Sequence, residues 1–281
     1  MDVLEPLITA LHNEGRLRAW SLVVTVFGDA VQLRGGRIAT LRLQHLLGRV
    51  GVEAGTLRTA LSRLSHDGWV LRDREGRNSF YRLSESGQAE ITSAAVDIYA
   101  PPSHREIREW VLASGEDAPT NGVKVAANLW LIPAGQVSDL TRHICVTGAL
   151  TSFPDRFAKQ VLSVEHRAAL AALGNDINAL NGVDLTPLEA MAARMLLIHR
   201  WRRIVLRFPA IPPELLTASQ TLQNPRQVVA KTYHQLTAAS EIWLNGSDHG
   251  LLPMPASTSE FANRFGGRAK TASASQLGGG S

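Results

Sequence analysis

The strongest constraint on this chain is the order of local patterns between Leu17 and Leu83: three stretches of helical character, then two alternating stretches around a tight turn. The first, Leu17 to Val31, is apolar enough for a buried helix. Thr40 is a suitable N-cap for a second, whose Leu43, Leu46 and Leu47 fall on one face and whose end is marked by Gly48 or Gly51. A third runs from about Glu53 to His66 and closes on Asp67-Gly68. The hairpin follows as Trp69 to Leu83, with Glu75-Gly76-Arg77-Asn78 as its turn. Helix, helix, helix, hairpin is the order of a winged helix-turn-helix.

Charge points the same way. The whole chain of 281 residues carries 29 Lys+Arg against 25 Asp+Glu, a surplus too mild to name a partner. Between Arg34 and Arg82, however, ten arginines face four acids, Glu53, Asp67, Asp73 and Glu75. That local surplus of six coincides with the segment expected to meet phosphates.

On the third helix Leu57, Ala60, Leu61 and Leu64 share one side, leaving Thr56, Arg58, Thr59, Ser62, Arg63 and His66 on the other. Short hydroxyls let a helix sit deep in the major groove, and an arginine can donate twice to guanine or clamp a phosphate. Thr56, Arg58, Thr59, Ser62 and Arg63 are therefore the candidate base and phosphate readers, although an ordinary amphipathic surface helix presents the same kind of face. At the hairpin, Arg72, Arg74, Arg77 and Asn78 offer guanidinium and amide donors to a backbone. Trp69, Phe80 and Tyr81 alternate there as packing residues rather than base-stacking ones.

Farther along, Ser84 caps a helix to about Ile98, and Pro101-Pro102 marks a boundary. Strand candidates at 109–114, 128–133 and 143–150 alternate with helices expected near Val137 to Thr141 and Ser163 to Leu173, which predicts an α+β unit. A long helix starts at Pro187, runs towards Phe208 and is stopped by Pro209, Pro212 and Pro213; another spans Pro225 to Leu244. Beyond Pro255 the chain turns small, polar and Gly/Ser-rich, the composition of a mobile tail.

Several classes lose support on motifs. The nine histidines and the lone Cys145 form no Cys-x-x-Cys pair and no His-Glu-x-x-His, so neither a structural zinc site nor a metalloprotease helix is expected. No P-loop, Gly-x-Ser-x-Gly or dinucleotide fingerprint occurs. The rival from another class is a metal-dependent nuclease in which Glu116 and Asp117 hold a hard cation such as Mg2+. With no apolar run of membrane-spanning length and no signal-like start, the expected location is cytoplasmic.

The segments 21–38 and 51–88, with REWVLAS at 108–114, NLWLIP at 128–133 and LLIHRWRRIVLRFPAIPPELL at 196–216, together resemble the PaaX family of phenylacetic acid degradation regulators. The resemblance covers most of Met1 to Leu244 and departs from the family pattern at Phe208 and Thr217. It implies a winged helix-turn-helix DNA-binding domain with a linker helix over 1–100, a ferredoxin-like (Cas2-like) domain over 101–182, a C-terminal helical domain over 183–250 and a flexible tail over 251–281. It also implies a homodimeric repressor on double-stranded operator DNA, released by phenylacetyl-CoA or a related acyl-CoA, with no catalytic cofactor. Arg200, Arg202, Arg203 and Arg207 cluster near one helix end, where they would clamp the phosphates of such an effector or simply face solvent and complement the helix dipole.

Overall fold

A computed structural model describes residues 2–13, 18–102, 106–216, 222 and 224–267. Its order begins α1 (Glu5–Asn13), α2 (Ala19–Val26), β1 (Arg37–Ala39), α3 (Thr40–Arg49), α4 (Ala54–His66), β2 (Val70–Glu75), β3 (Asn78–Leu83) and α5 (Glu85–Ile98). It continues with β4 (Trp110–Ser114), β5 (Val123–Ala126), β6 (Leu129–Pro133), β7 (Ile144–Gly148), α6 (Asp155–Val161) and α7 (Val164–Ala179). The last helices are α8 (Pro187–Val205), α9 (Pro225–Asn245) and the short α10 (Ser259–Ala262).

The apolar patterns place the elements. Leu57, Ala60, Leu61 and Leu64 bury one face of α4, which packs against α2 and β2. α2 is apolar all round and continues through a π-helical turn, Phe27–Val31, that carries Asp29 into the interior. α8 is buried along almost its whole length because α2, α3, α5, α7 and α9 surround it. A single core therefore includes Leu22 and Phe27, Leu43 and Leu61, and Met195, Tyr233 and Phe265. Two small cores serve the middle sheet, one around Trp110 and Leu131 and the other around Val111 and Ile132.

The local stop and start signals act where expected at several ends. Gly51 and Gly68 have φ values of 82° and 73°, which L side chains adopt only with strain, and they turn the chain after α3 and α4. Ser84 accepts from the Gly87 N–H at 3.1 Å. Thr186 and Glu189 close a reciprocal capping box ahead of Pro187.

Four expectations are corrected. Ala39, not Thr40, occupies the N-cap position of α3; Thr40 opens the helix and its hydroxyl donates to the Ser79 carbonyl at 2.9 Å, tying α3 to the hairpin. The expected helix at Val137 to Thr141 is irregular chain, because the Asp139 carboxylate accepts from both the N–H and the hydroxyl of Thr141, at 3.0 and 2.9 Å. The helix from Pro187 ends at Val205 instead of running to Phe208.

The fourth concerns the tail, whose first part is docked. Thr258 donates its N–H to the Leu33 carbonyl at 2.9 Å, Phe265 to the Tyr99 carbonyl at 2.8 Å, and both Arg264 and Phe265 are buried. Composition signalled mobility, but a few anchoring residues decide whether such a segment packs. Its Gly/Ser end, 268–281, lies outside the described residues.

The first sheet has the order β1-β3-β2, all antiparallel, so a three-residue strand joins the hairpin edge that the sequence left open. The second has the order β5-β6-β4-β7, again antiparallel throughout, with loops at 115–122 and 134–143 between its strands. Among the described residues no helix is long and apolar enough to cross a membrane.

Candidate nucleic-acid interface

All nine candidate DNA-contacting residues are exposed: Thr56, Arg58, Thr59, Ser62 and Arg63 on α4, and Arg72, Arg74, Arg77 and Asn78 on the hairpin. α4 holds its five on the face opposite the core, and the first turn of the helix, Ala54 to Thr56, is itself exposed with its N–H groups available. Gly76, at φ 57°, makes the tight turn that projects Arg77 and Asn78. Strands β2 and β3 pair in continuous register from Val70 with Leu83 to Glu75 with Asn78, and β1 adds to β3 at Phe80 to Arg82, so the end beyond Phe80 is two-stranded.

The ten arginines of this segment have unlike fates. Arg34 is buried against Glu241, Asn245 and the Pro255 carbonyl. Arg42 is fully buried and donates to the carbonyls of Trp243, Gly246 and Leu252 at 2.6 to 2.7 Å. Arg49 pairs with Asp2 and Glu189, Arg37 with Glu75, Arg82 with Asp73, and Arg63 more loosely with Asp67 at 3.6 Å. Arg72 donates to the Ser79 hydroxyl at 2.7 Å, which leaves its charge uncompensated. Arg58, Arg74 and Arg77 have no ion-pair partner among the described residues. Four uncompensated guanidinium groups thus sit on α4 and the hairpin, whereas the others serve packing or surface pairs. Thr59 already spends its hydroxyl on the Gly55 carbonyl at 3.1 Å, so it contributes bulk and an acceptor more readily than a donor.

Sequence reasoning missed the arginines that hold this interface in place. The signal was present for Arg42, which lies four residues before Leu46 and one before Leu43, on the buried face of its helix. Burial pulls the Arg42 pKa down to about 10, with Arg34 adding to the effect, so the group remains a cation at neutral pH. Its guanidinium sits on carbonyls at the end of α9 and on the following chain, where cations complement the helix dipole.

The four candidate effector residues do not form one cluster. Arg200 is buried in an ion pair with Asp176, and Arg202 donates to the Ser21 carbonyl and hydroxyl at 3.1 and 2.5 Å. Only Arg203 and Arg207 are exposed, and Arg207 lies over the Phe208 ring at 5.1 Å. The expectation of four arginines clamping one set of phosphates is therefore withdrawn for Arg200 and Arg202. Of the two departures from the family pattern, Phe208 stacks on His166 with ring centroids 4.4 Å apart, and Thr217 lies outside the described residues.

Glu116 and Asp117 lie in the 115–122 loop, where Asp117 pairs with Arg142 at 2.9 Å. Among the described residues no three His, Cys, Asp or Glu side chains gather as a metal centre. The Cys145 thiol donates to the His143 carbonyl at 3.7 Å, while the His143 ring bonds the Asp117 carbonyl at 2.8 Å.

Comparison with known proteins converges on one family. The model for PaaX-like proteins matches residues 18–87, and that for the PaaX-like protein C-terminal domain matches residues 157–246. The transcriptional repressor PaaX of Escherichia coli (strain K12) is 29% identical over 306 aligned positions, covering 95% of this chain and 96% of that protein. A solved structure, the uncharacterized protein Rv0674 from Mycobacterium tuberculosis, aligns with a TM-score of 0.49 and 22% identity over 80% of this chain and 97% of its own. With both family models matched in chain order and the relative aligned almost end to end, the chain belongs to the PaaX-like family of regulators.

Proposed function

We propose that this protein is a DNA-binding transcriptional repressor in which residues 40–83 form a winged helix-turn-helix. α4 enters the major groove and the β2–β3 hairpin lies on the flanking backbone as the wing. The observation that carries this reading is the placement of the uncompensated arginines: Arg58, Arg72, Arg74 and Arg77 all belong to α4 or the hairpin. Repression follows the activity named for the E. coli relative.

The second sheet supports a ferredoxin-like, Cas2-like middle unit, since its strands have the order and directions of that arrangement, with loops where the two crossover helices would run. The protein acts as a homodimer on an inverted-repeat operator, and an acyl-CoA of the phenylacetyl type releases it.

An electrophoretic shift on the DNA upstream of the protein's own coding region, at two salt concentrations, tests the reading. Four free cations per protomer correspond to about eight neutralised phosphates per dimer, so log affinity falls with log salt at a slope of about −7. From 50 to 200 mM salt the loss is about 10⁴-fold. Arg58→Ala/Arg63→Ala relaxes sequence preference, whereas Arg74→Ala/Arg77→Ala weakens binding to all sequences and flattens the slope. No shift at low salt removes the DNA reading; release of a formed complex by phenylacetyl-CoA, but not by CoA, supports the effector.

A further inference from the structure

A narrow, part-open cleft lies where α2, α5 and α8 meet, with about 40 Å3 of room as it stands. Val24 from α2, Ile91 and Ala95 from α5, and Ile198 from α8 make its walls apolar. Its polar side chains are Thr25, Tyr99 and Arg202, the Tyr99 hydroxyl already donating to Asp29 at 2.9 Å. Half-buried Arg202 differs from the other enclosed arginines of the fold. Arg34, Arg194, Arg200 and Arg264 each face a carboxylate, and Arg42 and Arg226 each face several carbonyls. Among the described residues Arg202 has neither: its Nη2 donates to the Ser21 carbonyl and hydroxyl, and its Nε is enclosed without an acceptor. An enclosed cationic donor left in that state is unfavourable until an acceptor arrives.

The surroundings add no counter-charge. His199, one turn back on α8, is kept neutral, its pKa pushed down to about 3 by burial and then by Arg202, Arg203 and Arg200. The Thr25 hydroxyl donates to the Ser21 carbonyl at 2.9 Å and is also hydrogen-bonded to His199 Nδ1 at 3.0 Å, which occupies both groups. These bonds leave Arg202 Nε as the polar group in need of a partner.

The walls are the supports of the DNA reader. α2 packs directly on α4, and α5 starts immediately after β3, its cap Ser84 also bonding the Gly68 carbonyl at the base of the hairpin. Across the cleft's edge Gln32 bonds Thr92 at 2.8 Å, and Gly28 faces Ile91 so closely that an added Cβ would lie 3.3 Å from it. A group entering here must part α5 from α2, which alters the angle between wing and reading helix.

We propose that this cleft is the effector site and that it takes a compact apolar acyl group whose carbonyl or carboxylate oxygen accepts from Arg202 Nε. The inference rests on the effector-gated reading above and assigns it a place. The cleft is too small for a nucleotide, so the phosphates of a CoA ester lie outside it.

Calorimetric titration of the full-length protein with phenylacetate, phenylacetyl-CoA and CoA tests the site, paired with DNA-shift release by the same three compounds. Either acyl compound binds the wild type, and the stronger of the two identifies free acid or thioester as the source. Arg202→Met, which keeps length and removes the donor, weakens that binding about ten- to hundredfold. Ala95→Trp, half-buried at the wall, blocks the cleft while leaving Arg202 intact, and it decides the matter if Arg202→Met fails to fold. Both variants are checked by circular dichroism and by ligand-free DNA binding. Unchanged affinity in Ala95→Trp overturns the site while leaving effector gating standing, provided that phenylacetyl-CoA still releases DNA. CoA competing as well as its ester overturns the acyl cleft, and absence of both binding and release removes the cleft and the gating together.

Discussion

Replacing Asp29 by Asn should unfold the link between the reader and the rest of the molecule, although the two side chains are nearly identical in shape. The Asp29 carboxylate is fully buried and takes Arg194 Nε at 2.7 Å, Arg264 Nη1 at 2.9 Å, and the hydroxyls of Tyr99 and Tyr233, each at 2.9 Å. Burial alone would raise its pKa, but the charges of Arg194 and Arg264 and these hydrogen bonds outweigh burial and hold it below 3.8. Asparagine keeps an acceptor for the tyrosines and Arg264, yet it turns an N–H donor towards Arg194 Nε and removes the charge that two buried guanidinium groups share, leaving Arg194 with Glu241 as its carboxylate partner at 3.1 Å. Breaking one side of a buried ionic group costs about 3–5 kcal/mol, so a loss of about 3 is expected for Asn and about 5 for Ala. At about 2–4 °C per kcal/mol the Asn variant melts roughly 6–12 °C lower. Urea unfolding followed by tryptophan fluorescence measures this, and Arg264→Met in the Asn background should recover part of the loss in a double-mutant cycle. A carboxylate with a depressed folded pKa stabilises above its unfolded pKa and loses that contribution as pH falls through the folded value. The wild type should therefore weaken as pH drops below about 3.8, with this component absent from the Asn variant. An Asn variant within about 1 kcal/mol of wild type would refute the reasoning.

His199 predicts a second pH effect. Its folded pKa of about 3 lies below the ordinary 6.5, so the unfolded chain binds the extra proton between these values and stability falls as pH drops below 6.5. Going to pH 5 should cost about 2 kcal/mol, and His199→Gln should flatten that slope in urea titrations at the two pH values. Glu75 neutralises Arg37 beside the wing tip, so Glu75→Gln should tighten DNA binding a few-fold and steepen the salt slope by about one unit per protomer in the shift assay. Arg42→Ala leaves the carbonyls of Trp243, Gly246 and Leu252 without their shared donor, and thermal melting should report a loss of about 3 kcal/mol. If Arg42→Ala melts like the wild type, the guanidinium is dispensable to the joint.

The elements with strong local signals were legible in the sequence, and those decided by distant partners were not. The face of α4, the hairpin with its Gly76 turn, and the Thr186 to Pro187 helix start are set by residues within a few positions of one another. The docking of 251–267 depends instead on Arg264 reaching Asp29, 235 positions earlier in the chain, which no local pattern announces. β1 is only three residues long and is called into being by pairing with Tyr81 and its neighbours. The candidate DNA site was legible because exposure follows directly from helical and strand periodicity. That Arg200, Arg202, Arg203 and Arg207 form no single cluster was not legible for the converse reason: adjacency on one helix, as at Arg202 and Arg203, points side chains in different directions.

The divided fate of the arginines bears on how such a reader is controlled. Had the surplus between Arg34 and Arg82 been wholly for phosphates, the N-terminal unit would be a charged module free to move on a linker. Arg34 and Arg42 instead carry their charge into α9 and the chain that follows it, and Arg264 brings that chain back to Asp29 beside α2. These are enclosed bonds to a buried charge, and displacing α3 from α9 would leave that charge and its acceptors unpaired, so the two helices are coupled. Parting of α5 from α2 and α8 then cannot be absorbed by a flexible connection. It must appear as a change in the angle between α4 and the wing, the geometry on which simultaneous groove and backbone contact depends.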